Sequence, residues 1–247
     1  MSREQIMAPP PKYSSQEQEN MILDAAAQCI EQTSLIDFTM SSVAKTAGMS
    51  MGSIYKHVQC KEDIIFALAI RVYHHQSSVF EQVIALPLTT PERLIGISLL
   101  NPLKIQVYSF DIHLDAFVTN ELVVKRTSKL WRDRMIDAHK NCEQLFYRCM
   151  SEAVDSGELS AEGEIEEFIE EINLGGWALT VGYQSVMRVV QIREIAQGDA
   201  QLHEPTACDA PIVRIFTRLF NSYQWQKPLD SAGIKHTAQL LTKHNLR

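Results

Sequence analysis

Apolar residues recur at helical spacing along the first third of the chain. Ile22, Ala25, Ala26, Cys29 and Ile30 stand at i, i+3, i+4, i+7 and i+8, which makes one face of an amphipathic helix over Ser15–Gln32. Ser14, with Glu17 three residues later, forms a capping-box pattern ahead of it. Val43, Ala44 and Ala47 supply the inner face of a second, short helix that Thr39 can cap and that runs to about Thr46. Gly48 follows where a helix end needs a left-handed residue. Met49 lies in the turn, and Ser50 can cap a third short helix that Ile54 and Val58 anchor inward. Its outer face is left with Met51, Ser53, Lys56 and His57. Another amphipathic helix starts near Lys61. Glu62 and Asp63 suit its positive N-terminal dipole, and Ile64, Leu68 and Val72 line one face.

The rest of the chain is mainly helical in pattern. Pro87 to Pro91 reads as a loop. From Ile105 to Val118 the apolar residues fit alternation nearly as well as a 3.6-residue period, and the helical surroundings favour a helix. Lys129 to Val154 carries Trp131, Met135, Ala138, Cys142, Leu145, Cys149 and Met150 near one stripe, ended by Asp155-Ser156-Gly157. A long stripe follows from Ile165 to Val190, with Gly175, Ala178 and Gly182 adding small side chains. Pro211 begins a strongly amphipathic helix with Ile212, Ile215, Phe216, Leu219, Phe220 and Tyr223 on one face, and a short terminal helix is expected within Pro228–Arg247. The expected fold is all-α: a three-helix N-terminal domain at 14–76 and a larger helical domain at 77–247. Residues 1–13, with Pro9-Pro10-Pro11, read as a flexible tail.

Composition changes this picture little. The 247 residues suit one small module plus one larger domain, and 45% apolar residues can bury a substantial core. No apolar run approaches the roughly 20 residues that span a bilayer, and no signal-peptide pattern opens the chain. The cytosol is the expected compartment, with no membrane partner. Five cysteines without a CxxC pair argue against a disulfide framework or a zinc site, and Cys142 and Cys149 read as half-buried thiols rather than a redox pair.

Charge distribution matters more. The net charge of −7 argues against nucleic-acid binding, but between Phe38 and Lys61 there is no Asp or Glu, while Lys45, Lys56 and Lys61 fall in that window. Two short helices, a glycine-containing turn and a second helix with slim polar and basic outward residues fit a helix-turn-helix. Such an outer face suits a groove about 12 Å wide. By spacing alone, two surface helices of an ordinary bundle remain the other reading.

The run from Phe38 to Ile65, FTMSSVAKTAGMSMGSIYKHVQCKEDII, resembles the signature of the tetracycline-repressor (TetR) family, with Val43-Ala44, Ala47-Gly48, Gly52, Tyr55, His57 and Lys61-Glu62 in register. The resemblance spans about 50 to 60 residues with the flanking helices. It implies that Tyr55, His57 and Lys61 hold phosphates. It also implies that Thr39, Met40 and Ser41 meet DNA at the start of the second helix, and that Met51, Gly52, Ser53 and Lys56 face base edges. Cys60 stands where the family often has Ser or Asn, and Met40 and Met51 are apolar where polar readers are common.

The resemblance further implies a homodimer whose last two long helices form the interface, here with Ile172, Gly175, Leu179, Gly182, Phe216, Leu219, Phe220 and Tyr223 as candidates. Tyr108, His113, Phe117, Trp131, Phe146 and Trp177 are candidates to line a small-molecule pocket, although they also read as ordinary core aromatics. The implied function is a DNA-binding transcriptional regulator, a repressor that leaves a palindromic double-stranded operator when a small-molecule effector binds. An activator, a ligand-independent DNA binder, and a helical interaction module without DNA binding are the alternatives. No cofactor or metal is expected. His74-His75 diverge on a helix, His139 and Cys142 lack partners, and Asp111, His113 and Asp115 converge only on a strand. No catalytic or phosphate-loop motif is present, so no enzyme is expected.

Overall fold

The computed structural model describes residues 13–197 and 204–247. The tail expected at 1–13 lies, Tyr13 apart, outside them. The chain divides into two compact units, one built from residues up to Ile70 together with Tyr108–Met135, the other from Arg71–Val107 with Ile136–Arg247. The boundary expected at residue 76 thus falls inside a helix, and the first unit takes in a second, distant segment.

In the first unit, α1 (Ser15–Gln32) begins at a complete capping box between Ser14 and Glu17. Its Ile22, Leu23, Ala26, Cys29 and Ile30 are buried. Next, α2 (Met40–Ala47) is capped reciprocally by Thr39 and Ser42 and ends on Gly48, whose φ of 65° is the left-handed conformation. The third helix, α3 (Met51–Ile54), is a single turn capped by Ser50, and residues 55–57 continue it as tighter turns rather than α-helix. The next helix, α4 (Lys61–Ile84), buries every residue from Asp63 to Ile70.

Of the segment expected as one helix from Ile105 to Val118, only Asp111–Val118 is a helix, with Ile105 ending another. Asn101 caps α6 (Pro102–Ile105), Gln106 is extended, and α7 (Asp111–Val118) restarts where the Asp111 carboxylate receives the Tyr108 amide at 3.0 Å. Local side-chain acceptors broke the run, which explains its mixed periodicity. After α8 (Glu121–Arg126), α9 (Lys129–Asp155) starts within the first unit.

The second unit packs around Val83, Leu94, Leu99, Met150, Ile169, Val213, Phe216, Phe220 and Leu241. In it, α5 (Thr90–Leu99) starts at Thr89, so the loop expected to Pro91 is shorter and Pro91 opens the helix. Gly96 lets α5 approach closely, since a Cβ there would stand 3.0 Å from Val83 and 3.3 Å from Thr237 of α12 (Ser231–Lys243). Gly157 (φ 75°) turns the chain after α9. A two-residue ladder, β1 (Leu159–Ser160) against β2 (Gln224–Trp225), then ties that loop to the chain beyond α11 (Pro211–Phe220). The last of these helices stops before Tyr223 at Asn221, whose side-chain nitrogen donates to the Leu229 carbonyl and whose side-chain oxygen accepts the Leu229 amide, each at 2.8 Å. The stripe from Ile165 is a single helix, α10 (Ile165–Gln197). No helix among the described residues is long and apolar enough to cross a membrane.

Candidate nucleic-acid interface

The starts of α2 and α3 are fixed by their N-caps, and Gly48 ends α2 just ahead of the second of them. Thr39 Oγ1 receives the Ser42 amide at 3.1 Å while Ser42 Oγ receives the Thr39 amide at 3.1 Å. Ser50 Oγ receives the Ser53 amide at 3.1 Å. Val43, Ile54 and Val58 are fully buried, which fixes the face that each helix turns outward. Thr39, Ser41, Met51, Gly52, Tyr55 and Lys56 are exposed, and Met40, Ser53, His57 and Lys61 are half-buried. At Gly52 a Cβ would meet nothing nearer than the Ser50 hydroxyl at 3.9 Å, so the residue is bare to solvent. The result is a slim surface with Tyr55 and Lys56 at one end and the Thr39–Ser41 hydroxyl pair, 3.0 Å apart, on α2.

Two of the expected phosphate holders are engaged with protein. Lys61 Nζ donates to the Ile36 carbonyl and lies 4.5 Å above the Phe38 ring, and burial lowers its pKa against the opposing pull of Asp37 and Glu62. His57 Nε2 lies 3.2 Å from the Gln18 side-chain oxygen of α1.

Asp63 had read as a dipole partner for α4, yet it is fully buried. Its two oxygens receive the Gln59 amide at 2.8 Å and the Ser128 amide at 2.7 Å. Cys60 beside it is half-buried. Burial pushes its thiol up to about 11, the Asp63 amide opposes this, and the Asp63 and Glu62 carboxylates add to the rise.

Residues 22–68 match the family model described as bacterial regulatory proteins, tetR family. The chain carries a tetR-family domain. Solved structures share the fold. The TetR-family transcriptional regulator of Cytophaga hutchinsonii has a TM-score of 0.59 at 14% identity, covering 87% of this chain and 100% of its own. The TetR/AcrR-family regulator of Thermobifida fusca YX-ER1 reaches 0.55 at 15% identity, over 84% and 99%. The reduced form of Escherichia coli NemR reaches 0.51 at 14%, over 85% and 99%. No curated protein matches by sequence. The tetR-family match covers the helix-turn-helix, from Ile22 of α1, and the start of α4.

The six candidate pocket residues are divided between the units. Tyr108, stacked on Phe110 at 5.1 Å, belongs to the first, as do the exposed His113, the half-buried Phe117 and the buried Trp131. Phe146, 5.8 Å from Phe80, and the exposed Trp177 belong to the second. The second unit has a polar cleft of about 410 Å³ lined by Glu81, Asn141, Gln144, Tyr147 and Arg148, and none of the six lines it. Asp111, His113 and Asp115 lie on α7, where alternate positions diverge, and no metal-holding group of three or more His, Cys, Asp or Glu occurs among the described residues.

The eight candidate dimer residues lie on α10, on α11 and, in Tyr223, just beyond it. Ile172, Phe216 and Phe220 are buried within the second unit itself. A Cβ at Gly175 would stand 3.9 Å from Leu219 and one at Gly176 4.0 Å from Phe220, so these positions pack α10 on α11. Leu179 and Tyr223 are half-buried, and Gly182 is open. The exposed apolar side of α10 runs instead through Leu174, Trp177, Val181, Val186 and Val189.

Proposed function

We propose that the chain is a homodimeric transcriptional repressor whose α3 and following turn read the major groove of a palindromic operator, and that a small-molecule effector releases it. The observation that carries this reading is the outward face of the tetR-family domain: bare at Gly52, hydroxylic at Ser41, basic at Lys56, and free of carboxylates from Phe38 to Lys61 in a chain of net charge −7. The acid-rich remainder favours phosphate approach at that window over others.

A single one-turn reading helix makes few base contacts, so two copies on half-sites about 34–36 Å apart are the natural arrangement. The exposed stripe of α10, with Ala178 and Gly182 beside Val181, supports a two-fold contact in which the same surface serves twice. Release requires an effector with higher affinity for the form that does not hold DNA.

The test is binding-site selection from random duplex DNA with the full chain, followed by footprinting and a reporter fused to the recovered site. A two-fold symmetric consensus and lower reporter output support repression. Raised output would make the protein an activator, and no enrichment would leave a helical interaction module in its place.

A further inference from the structure

The helix that reads the groove is one turn long, and isolated turns of that length do not hold their own geometry. Its own carbonyls are met locally, Met51 by the Tyr55 amide, Ser53 by the Lys56 amide and Ile54 by those of His57 and Val58. The turn that follows is held from the distant segment of the first unit. Trp131, 2% exposed on the first turn of α9, donates its indole N–H to the His57 carbonyl at 3.2 Å. The Arg134 guanidinium lies 4.4 Å over the same indole and bonds Glu19 of α1 at 3.0 Å, which fixes the ring.

Two residues further on, Asp63 draws the Gln59 amide and the Ser128 amide onto one carboxylate. The Cys60 thiol reaches the Arg126 carbonyl at 3.4 Å. The stretch from His57 to Cys60 is therefore held at three points: the His57 carbonyl by Trp131 of α9, the Gln59 amide by Asp63 of α4, which Ser128 also bonds, and the Cys60 thiol by the Arg126 carbonyl. Tyr55 and Lys56 immediately precede that stretch and themselves project into solvent.

We propose that Trp131 and Asp63 are positioning residues for DNA recognition: they set where the turn after α3 stands, and so the register of Tyr55 and Lys56 on the duplex, without touching it. This rests on the reading that α3 faces the operator. Base-edge hydrogen bonds tolerate little displacement, whereas contacts of a flexible lysine with phosphate tolerate more. Loss of the brace therefore lowers specific affinity more than affinity for random DNA.

The experiment uses the full chain, a duplex recovered by binding-site selection, and a random duplex of equal length. Trp131→Phe keeps the ring under Arg134 and removes the N–H. At a temperature well below its unfolding transition it is expected to bind the selected duplex about tenfold more weakly, a change of about 1.4 kcal/mol. Its affinity for random DNA should stay within about twofold, because that binding is mainly electrostatic. A merely structural role would lower the unfolding midpoint and leave the ratio of the two affinities unchanged, and that result overturns the proposal. Asp63→Asn, which replaces one acceptor oxygen by a donor, is expected to shift the ratio in the same direction, and Asp63→Glu to restore part of it. Should the Asp63 variants fail to fold, the Trp131→Phe ratio decides alone. Lys56→Ala separates this inference from the reading beneath it. If it leaves the selected consensus intact, α3 does not face the bases and both fall. If it changes the consensus while Trp131→Phe leaves the ratio intact, the positioning role alone falls.

Discussion

Glu158 caps a helix from 68 residues away, its two carboxylate oxygens receiving the amide and the hydroxyl of Thr90, each at 2.7 Å. Thr90 is 1% exposed, so water cannot replace that acceptor. Glu158→Ala should destabilise the protein by about 2–4 kcal/mol, since two buried donors lose their partner. Glu158→Gln should cost about half as much. Urea unfolding followed by circular dichroism measures both. Equal midpoints for Glu158→Ala and the unaltered chain would remove the cap from the account of α5.

Phe220 and Val181 separate internal packing from association. Phe220 is 4% exposed in the core of the second unit, so Phe220→Glu buries an unpaired charge and should unfold that unit whatever the oligomeric state. Val181 is 44% exposed on α10. Val181→Glu should keep the helical signal and sediment as a monomer, with loss of footprint on a palindromic duplex. A dimeric Val181→Glu would place the two-fold contact on another surface.

Lys61 and Lys56 should differ in their salt signatures. Lys56 is exposed beside Tyr55, and Lys56→Ala should lower the slope of log affinity against log salt by about one unit. Lys61 is held on the Ile36 carbonyl and over Phe38. Lys61→Ala should shift the slope by less than about half a unit and cost about 1 kcal/mol of stability through the lost bond. A full unit lost at Lys61 would show that its ammonium swings out to phosphate.

Cys60 gives a pH dependence of definite sign. Its thiol pKa in the fold is about 11 against an ordinary value of 9.0. Between those values the unfolded chain has released the proton and the folded chain retains it. Stability contributed by the neutral thiol is therefore complete below about pH 9 and falls as pH rises from 9 to 11. Cys60→Ser should flatten that part of the curve, read as urea midpoints at successive pH values. The same shift predicts slow alkylation of Cys60 at neutral pH compared with free cysteine. Fast labelling would contradict the burial assigned to it.

What was legible in the sequence was local. The Ser14–Glu17 box, the Thr39 cap, Gly48 and the start at Pro211 all depend on residues within a few positions of each other. Patterning and capping speak at that range. Asp63 shows the limit. An acid in a first helical turn reads as a dipole partner, and nothing nearby announces a second acceptor duty to Ser128, 65 positions on. Trp131 was legible as an inward residue of α9, but its partner at His57 lies 74 positions back, so its aromatic character suggested a pocket instead. Phe216 and Phe220 marked an apolar face correctly, yet periodicity does not say whether that face meets its own chain or another. The stretch from Ile105 to Val118 misled because its first five residues after Ile105 are not helical and the helix starts only at Asp111, whose carboxylate holds the Tyr108 amide.

The first unit is interrupted in the chain, its stretch up to Ile70 being completed by Tyr108–Met135. This has a consequence for its birth on the ribosome. The helix-turn-helix emerges early, and Asp63 with it, but Trp131, which braces His57, and Ser128, which shares the Asp63 carboxylate, are made tens of residues later. At about 5–20 residues per second that is a wait of several seconds. During it the nascent head has its caps and the Asp63–Gln59 bond but not the Trp131 brace. On the proposed reading, a polypeptide stalled before Trp131 should therefore carry all of α3 and its turn and still lack the operator preference of the finished chain, so commitment to a site comes after synthesis of the reader rather than with it.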